Sequence, residues 1–271
     1  MLPTHSFVVP AFGEPRWLDR CLDSLQRQTV ASDILITTST PSPYLRSIGE
    51  RRQVPVVVNK IAAGIVSDWN FAFAQARSEW VSLAHQDDWY ERDYVEACRD
   101  ALAGVRNATL LYTDATEEIE GRTGELLNTR VKRAISGLTF LTFLTFLTGR
   151  SIDAPWRKRL LLSFGNPIPC PSVMINKRLL PAFTFPEGWK SNLDWRAWFT
   201  LARQPGAFVY VSRRLVHRTL HVDGATTRAL ADRALEDARM FKELWPAPVA
   251  AALNRLYAPS RSPYRILRQE R

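Results

Sequence analysis

Cysteine is scarce in this chain: Cys21, Cys98 and Cys170 are the three in 271 residues, far apart and without CxxC or metal-finger spacing. That pattern fits a reducing compartment with reduced, mostly buried thiols. The start, Met1 to His5, runs straight into a strand-like segment and lacks the basic leader, apolar stretch and cleavage site of a signal peptide. A cytoplasmic location is the resulting expectation. No internal domain-length repeat is visible, so organisation must come from element order. The one repetitive run, Leu138-Thr139-Phe140 and two further Thr-Phe-Leu units, is too short and too threonine-rich to span a bilayer. It reads as a buried helix or an interfacial one flanked by Lys132, Arg133 and Arg150.

What the chain does have is ordinary globular material and an excess of positive charge. With 46% hydrophobic and 23% charged residues it can bury a sizeable core as one large domain or two packed lobes. The net charge of +9 points to an anionic partner. Basic residues gather at Arg130, Lys132 and Arg133, at Arg157, Lys158 and Arg159, and at Arg255, Arg261, Arg265, Arg268 and Arg271. No zinc finger, basic zipper or RNP-like strand accompanies them, which argues against nucleic acid. Leu253 to Arg271 mixes Leu256, Tyr257, Tyr264, Ile266 and Leu267 with arginines; it suits an anionic membrane surface, and equally a solvated tail or a strand-and-helix cover.

Periodicity gives an alternating order. Ser6 to Val9 reads as a strand, and Pro15 to Gln28 as a helix with Trp17, Leu18, Cys21, Leu22 and Leu25 on one face. Strands follow at Asp33–Thr37 and Val54–Val58, then a short helix over Asp68–Ala76 capped by Ser67 or Asp68. Trp80 to Ala84 is a further strand, Glu91 to Ala103 a helix burying Tyr94, Val95, Cys98 and Leu102, and Thr109 to Tyr112 another strand. Such alternation predicts an α/β fold with a mostly parallel sheet, whose ligands bind beyond the carboxyl ends of the strands.

There the sequence places Asp87 and Asp88. Two adjacent carboxylates at a strand end repel, and desolvation raises the cost of keeping both ionised, so a cation or hydroxyl donors stabilise them. One reading is a site for Mg2+ or Mn2+ that in turn holds a phosphate-bearing ligand. The other is a solvated turn with Asp88 capping the next helix.

The order of motifs resembles family 2 glycosyltransferases of the GT-A fold. The resemblance is carried by Phe7-Val8-Val9-Pro10-Ala11-Phe12-Gly13-Glu14, Asp68-Trp69-Asn70 and His85-Gln86-Asp87-Asp88. Farther along come Asn166-Pro167-Ile168-Pro169-Cys170-Pro171-Ser172, Leu193-Asp194-Trp195-Arg196-Ala197-Trp198 and Arg218-Thr219-Leu220-His221. Together they cover most of residues 6 to 227. The resemblance implies a Rossmann-like GT-A sheet: a nucleotide-sugar half (1–115), an acceptor and catalytic half (116–227), and a helical, basic tail (228–271). It implies inverting transfer from a nucleoside-diphosphate sugar to a saccharide or lipid-linked acceptor in cell-surface polysaccharide synthesis. Pro10, Ala11, Phe12, Glu14, Thr38 and Asn70 would meet the nucleotide sugar, Asp88 the metal, and Asp87 the ribose hydroxyls or the metal. His221 would approach the metal or diphosphate, or be held structurally with Asp223 as partner. Asp194 would be the base, although Ser191, Asn192 and Asp194 are all also helix-cap types.

Three departures stand out. Thr37-Thr38-Ser39-Thr40-Pro41-Ser42 replaces the acids that usually meet the base; its hydroxyls suit a base edge or a plain turn. Trp69 stands where an arginine often does, and His85 where many members have another acid. Trp189, Trp195 and Trp198 suit sugar stacking or core, with Trp198 assigned to core. A metal-dependent nucleotidyltransferase and a non-catalytic nucleotide-sugar-binding domain are the alternatives; pyrophosphate release, nucleoside-diphosphate release and binding without product separate the three.

Overall fold

The computed structural model describes residues 4–61, 63–119, 122–124 and 151–258. The Thr-Phe-Leu run, the basic group at 130–133 and the tail beyond residue 258 lie outside these. Ten strands form one sheet. They are β1 (His5–Pro10), β2 (Asp33–Thr38), β3 (Val56–Val58), β4 (Trp80–Leu83), β5 (Trp89–Tyr90), β6 (Ala108–Ile119), β7 (Arg122–Gly124), β8 (Ser151–Ile152), β9 (Val173–Asn176) and β10 (Ala207–Leu220). Their order is β3-β2-β1-β4-β9-β6-β10-β5, with β7 on β6 and β8 on β10. β1 to β4 run parallel; β9 is antiparallel to both β4 and β6; β10 is parallel to β6. The expected mostly parallel α/β sheet is therefore present, with β9 reversed within it and the short β5, β7 and β8 antiparallel to their neighbours.

Alternation along β1 divides the core. Val8 belongs to one buried cluster and Phe7 and Val9 to the other, because successive strand side chains face opposite sides of the sheet. Helix α1 (Leu18–Gln26) buries Leu18, Cys21, Leu22 and Leu25, at i, i+3, i+4 and i+7. Truncating Leu22 to alanine would cost about 2–5 kcal/mol. Helix α1 starts later than the sequence suggests: Pro15 sits before it, where its carbonyl accepts from the Leu18 N–H.

Other boundaries also differ. Helix α2 (Pro43–Arg52) was not foreseen; Ser42 caps it, its Oγ accepting from Leu45 N at 3.2 Å. Helix α3 (Ile65–Gln75) begins three residues earlier than expected, so neither Ser67 nor Asp68 is its cap residue; Gly64 is, in a positive-φ conformation open to glycine. Helix α4 (Tyr94–Ala101) is shorter, since Trp89 and Tyr90 pair with β10 as β5.

The later residues complete the sheet and pack on it. Helix α5 (Pro155–Leu162) and a 3-10 turn at Cys170–Ser172 lead into β9, and α6 (Leu193–Ala202) leads to β10. Helices α7 (Ala225–Arg228), α8 (Leu230–Leu244) and α9 (Ala247–Tyr257) follow. Trp189, Trp195 and Trp198 are all buried, so none presents a face to a sugar. Trp195 donates to the Leu162 carbonyl at 3.1 Å, the partner a buried indole needs. The three cysteines are free and buried, as expected.

Candidate active site

The sheet carries a cavity of about 430 Å3 at the carboxyl ends of β1 and β4. Pro10, Ala11 and Phe12 line it from β1 and the following turn, Asp87 and Asp88 from the end of β4, and Asp194 from the start of α6. Arg218 and His221 close it from the end of β10. These positions lie far apart in the chain, and parallel strand order brings them together.

Asp87 and Asp88 occupy a turn between β4 and β5 in which Asp88 N donates to the His85 carbonyl at 3.2 Å. Asp88 is buried, and its Oδ1 accepts from the Thr219 N–H of β10 at 2.9 Å. It does not cap α4. Its Oδ2 lies 3.4 Å from His85 Nδ1. Asp87 Oδ2 meets His221 Nε2 at 3.0 Å, so Asp87 is a partner of His221. Burial and the neighbouring Asp87 push the Asp88 carboxyl above its ordinary value. Burial also acts on Asp87, but the His221 hydrogen bond and the charges of His85 and His221 outweigh it and hold that carboxyl low. One acid of the pair is thus favoured ionised and the other is restrained, as expected for two carboxylates sharing one site.

His85, Asp87 and Asp88 bring ligand atoms within 4.8 Å of one another. His85 Nε2 is buried and has no hydrogen-bond partner among the described residues. An orphaned imidazole nitrogen beside two carboxylates fits a divalent cation; oxygen ligands suit Mg2+, and the imidazole adds a preference for Mn2+. The sequence reading gave His85 no ligand role and noted only that it stands where many family members have another acid. Its adjacency to the two acids was the signal that could have marked it.

Asp194 is the second residue of α6, and its two oxygens have different partners. Oδ1 accepts from the Trp195 N–H at 2.7 Å, and Oδ2 from Asn166 Nδ2 at 2.9 Å. Asn166 Oδ1 accepts from Ile168 N at 3.2 Å, which fixes the amide and presents its N–H2 to the carboxylate. The expected cap residue Asn192 makes no side-chain cap bond; it donates instead to Asp237 at 2.7 Å. Arg218, beside Asp88, is paired with Glu117 at 2.9 Å.

Other expected nucleotide contacts stand apart from the cavity wall. Thr38 is buried, and its Oγ1 accepts from Thr40 N at 3.0 Å. Glu14 is exposed beyond the first turn. Asn70 clamps the Phe185 backbone, donating to its carbonyl at 3.0 Å and accepting from its N–H at 2.6 Å. Asp68, two residues earlier in α3, does line the cavity and accepts from Ser39 Oγ at 2.8 Å and Asn59 Nδ2 at 3.0 Å. Trp69 also lines it, packed on His85 and Phe185 with ring centroids 5.2 and 5.0 Å away.

The sheet and its strand-end cavity have the architecture of the GT-A fold. Residues 6–126 match the family model described as Glycosyl transferase family 2, which bears out the resemblance read from the motifs. Chondroitin synthase of Pasteurella multocida (strain Pm70) is 27% identical over 118 residues, 41% of this chain and 12% of the relative. Hyaluronan synthase of Pasteurella multocida matches over the same shares at 27% identity. The chain thus spans about an eighth of the length of the curated relatives it matches. Among solved structures, S. aureus TarS 1-349 in complex with UDP-GlcNAc superposes with a TM-score of 0.62 at 16% identity, covering 96% of this chain and 74% of that one. Mannosyltransferase PcManGT from Pyrobaculum calidifontis, in complex with GDP-Man and Mn2+, gives a TM-score of 0.62 at 13% identity, over 94% of this chain and 69% of that one. These likenesses establish the GT-A fold.

Proposed function

We propose that the protein is an inverting, metal-dependent glycosyltransferase that moves a sugar from a nucleoside-diphosphate sugar to a saccharide or lipid-linked acceptor in polysaccharide synthesis. The observation that carries this reading is that Asp194 and the Asp87-Asp88 pair, more than a hundred residues apart in sequence, line one cavity. The relatives synthesise chondroitin and hyaluronan by name, and the solved neighbours hold UDP-GlcNAc and GDP-Man, which supports a nucleotide-sugar donor. Residues 1–115 serve as the donor half, 116–227 as the acceptor and catalytic half, and 228–271 as a C-terminal helical and basic part.

Asp88, Asp87 and His85, joined by His221, would hold Mn2+ or Mg2+. When bound, the cation stabilises charge developing on a departing diphosphate without any proton transfer. Pro10, Ala11 and Phe12 line the donor side of the cavity, with Trp69 and Asp68 below. Asp194 Oδ2 accepts the proton of the acceptor hydroxyl as that oxygen attacks the anomeric carbon, on the face opposite the leaving diphosphate. Asn166 donates to that carboxylate and holds it in one orientation. The Trp195 N–H, at the first turn of α6, does the same for Oδ1.

The test is Asp194→Asn. Loss of sugar transfer with intact Mn2+-dependent binding of a nucleoside diphosphate supports the assignment; near-normal transfer removes it. A thermal-shift screen of nucleoside diphosphates and their sugars with Mn2+ or Mg2+ checks the wider reading, since a ligand of the folded state raises its stability. No shift with any nucleotide would overturn it.

A further inference from the structure

Large apolar side chains stand exposed or partly exposed along two helices whose ends are linked through residues 163–165 beside the cavity. On α5, Trp156 is 54% exposed, and Leu160 and the following Phe164, 42% exposed, succeed it at steps of four residues. On α9, Val249 is 42% and Leu256 77% exposed, with the partly buried Leu253 between them at helical spacing. A helix normally turns such a stripe inward. Here the inward positions are already filled, by Leu161 and Leu162 on α5 and by Ala250 on α9. The segment after α5 packs on the residue that precedes α9: the Phe164 and Trp245 rings lie 5.5 Å apart, and Trp245 Nε1 donates to the Ser163 carbonyl at 2.8 Å. Tyr257 packs against Gly165, which has no Cβ to obstruct it.

Neither helix carries an acidic side chain. No Asp or Glu occurs from residue 154 to residue 186 or from 244 to 258. Exposed Arg159 and Arg255 flank the apolar stripes, and Arg157 lies over the Trp156 ring, 5.2 Å from its centroid. The nearest acids in sequence are Asp153, ahead of α5, and Glu243, which Arg196 holds in an ion pair. An apolar ridge carrying only cations has the composition of an amphipathic surface that lies in the headgroup layer of an anionic bilayer. The ridge is also continuous with the cavity: Asn166 follows Phe164 by two residues, Tyr257 follows Leu256, and Asn166 and Tyr257 both line the cavity.

We infer that the α5 and α9 ridge, Trp156, Phe164, Val249 and Leu256 with Arg157, Arg159 and Arg255, docks the protein on an anionic lipid surface and turns the Asp194 side of the cavity toward it. The orientation deepens the proposed activity, because a lipid-linked acceptor would then reach Asp194 from the membrane side. Docking itself needs neither donor nor turnover, so it stands or falls apart from that activity.

Co-sedimentation of the full chain with phosphatidylcholine vesicles, alone or mixed with phosphatidylglycerol, tests it. The expected result is binding to the mixed vesicles, weakened by salt, and absent from neutral ones. Arg157→Glu with Arg159→Glu should cut the partitioning at least ~10-fold, as should Trp156→Ser with Leu256→Ser, while nucleotide-induced thermal shifts stay as in the parent. Retained thermal shifts also show that the variants fold. Equal binding to both vesicle types, no binding, or unchanged partitioning of both variants would overturn the inference. So would a dimer in light scattering that these variants dissolve without any vesicle binding, because the ridge would then cover a second copy.

Discussion

Asn166 donates to Asp194 across 28 residues of chain, at 2.9 Å, so the loop that ends at β9 fixes the side chain that starts α6. In the proposed reaction Asn166 is a positioning residue. Asn166→Ala should lower kcat by roughly 10–100-fold with little change in donor affinity, against roughly 100–10,000-fold for Asp194→Asn. Steady-state kinetics with separate kcat and KM values check this. A large rise in donor KM with unchanged kcat would contradict it.

Metal dependence has a graded expectation. Chelation should abolish the metal-dependent part of nucleoside-diphosphate binding, with Mn2+ restoring it better than Mg2+ because His85 adds a nitrogen ligand. Asp88→Asn and Asp87→Asn should each weaken that binding more than His221→Ala does. Calorimetric titration of each variant with nucleoside diphosphate and Mn2+ gives the ranking. Metal-independent binding of full strength would exclude the cation site.

Asn70 separates a ligand contact from a structural clamp. Both ends of its amide hold the Phe185 backbone, so Asn70→Ala should destabilise the fold by about 1–3 kcal/mol. Donor affinity, measured well below the melting range, should change little. Chemical denaturation together with donor titration distinguishes the two; unchanged stability with lost donor binding would reverse the assignment.

His5 predicts a pH-dependent stability. It is buried between Ser32 and Ser82, at 2.9 and 3.1 Å, and burial lowers its pKa from 6.5 to about 3. The folded state therefore keeps His5 neutral where the unfolded chain binds a proton. Its contribution is fully present above pH 6.5 and is lost as pH falls from 6.5 toward 3. The slope should approach ~1.4 kcal/mol per pH unit within that window. Denaturant midpoints across the range, compared with His5→Gln, should show a flatter profile for the variant.

Gly165 has φ +133°, a region that L side chains rarely adopt, and an added Cβ would run into the Tyr257 ring. Gly165→Ala should cost about 1–3 kcal/mol and loosen α9 from the cavity wall. A normal melting profile for this variant would show that α9 packs differently.

Strands β1, β2 and β4 were legible because each is a short apolar run, and α1 because its buried residues recur at helical spacing. Helix α2 was not, since it buries only Leu45, Ile48 and Gly49 and is otherwise polar and basic. Tertiary pairing hid β5 and the length of β6, whose partner β10 arrives about a hundred residues later. In the site, motif order pointed to Asp87, Asp88, Asp194 and His221, all of which line the cavity. Partners could not be read the same way. Thr38 and Asn70 are types that bond a ligand or the backbone equally well, and only packing shows that here they bond the chain itself.

The hydrogen bond from Thr219 N to Asp88 has a consequence in time. Strands β1 to β4 can pair as soon as the first eighty or so residues exist, yet the pocket for Asp88 lacks its β10 wall until residue 219 has been made. Such long sequence separation is slow to close. During synthesis the acidic turn is therefore among the last parts to be locked, and a nascent chain stopped short of β10 would carry both carboxylates without the backbone donor that fixes one of them.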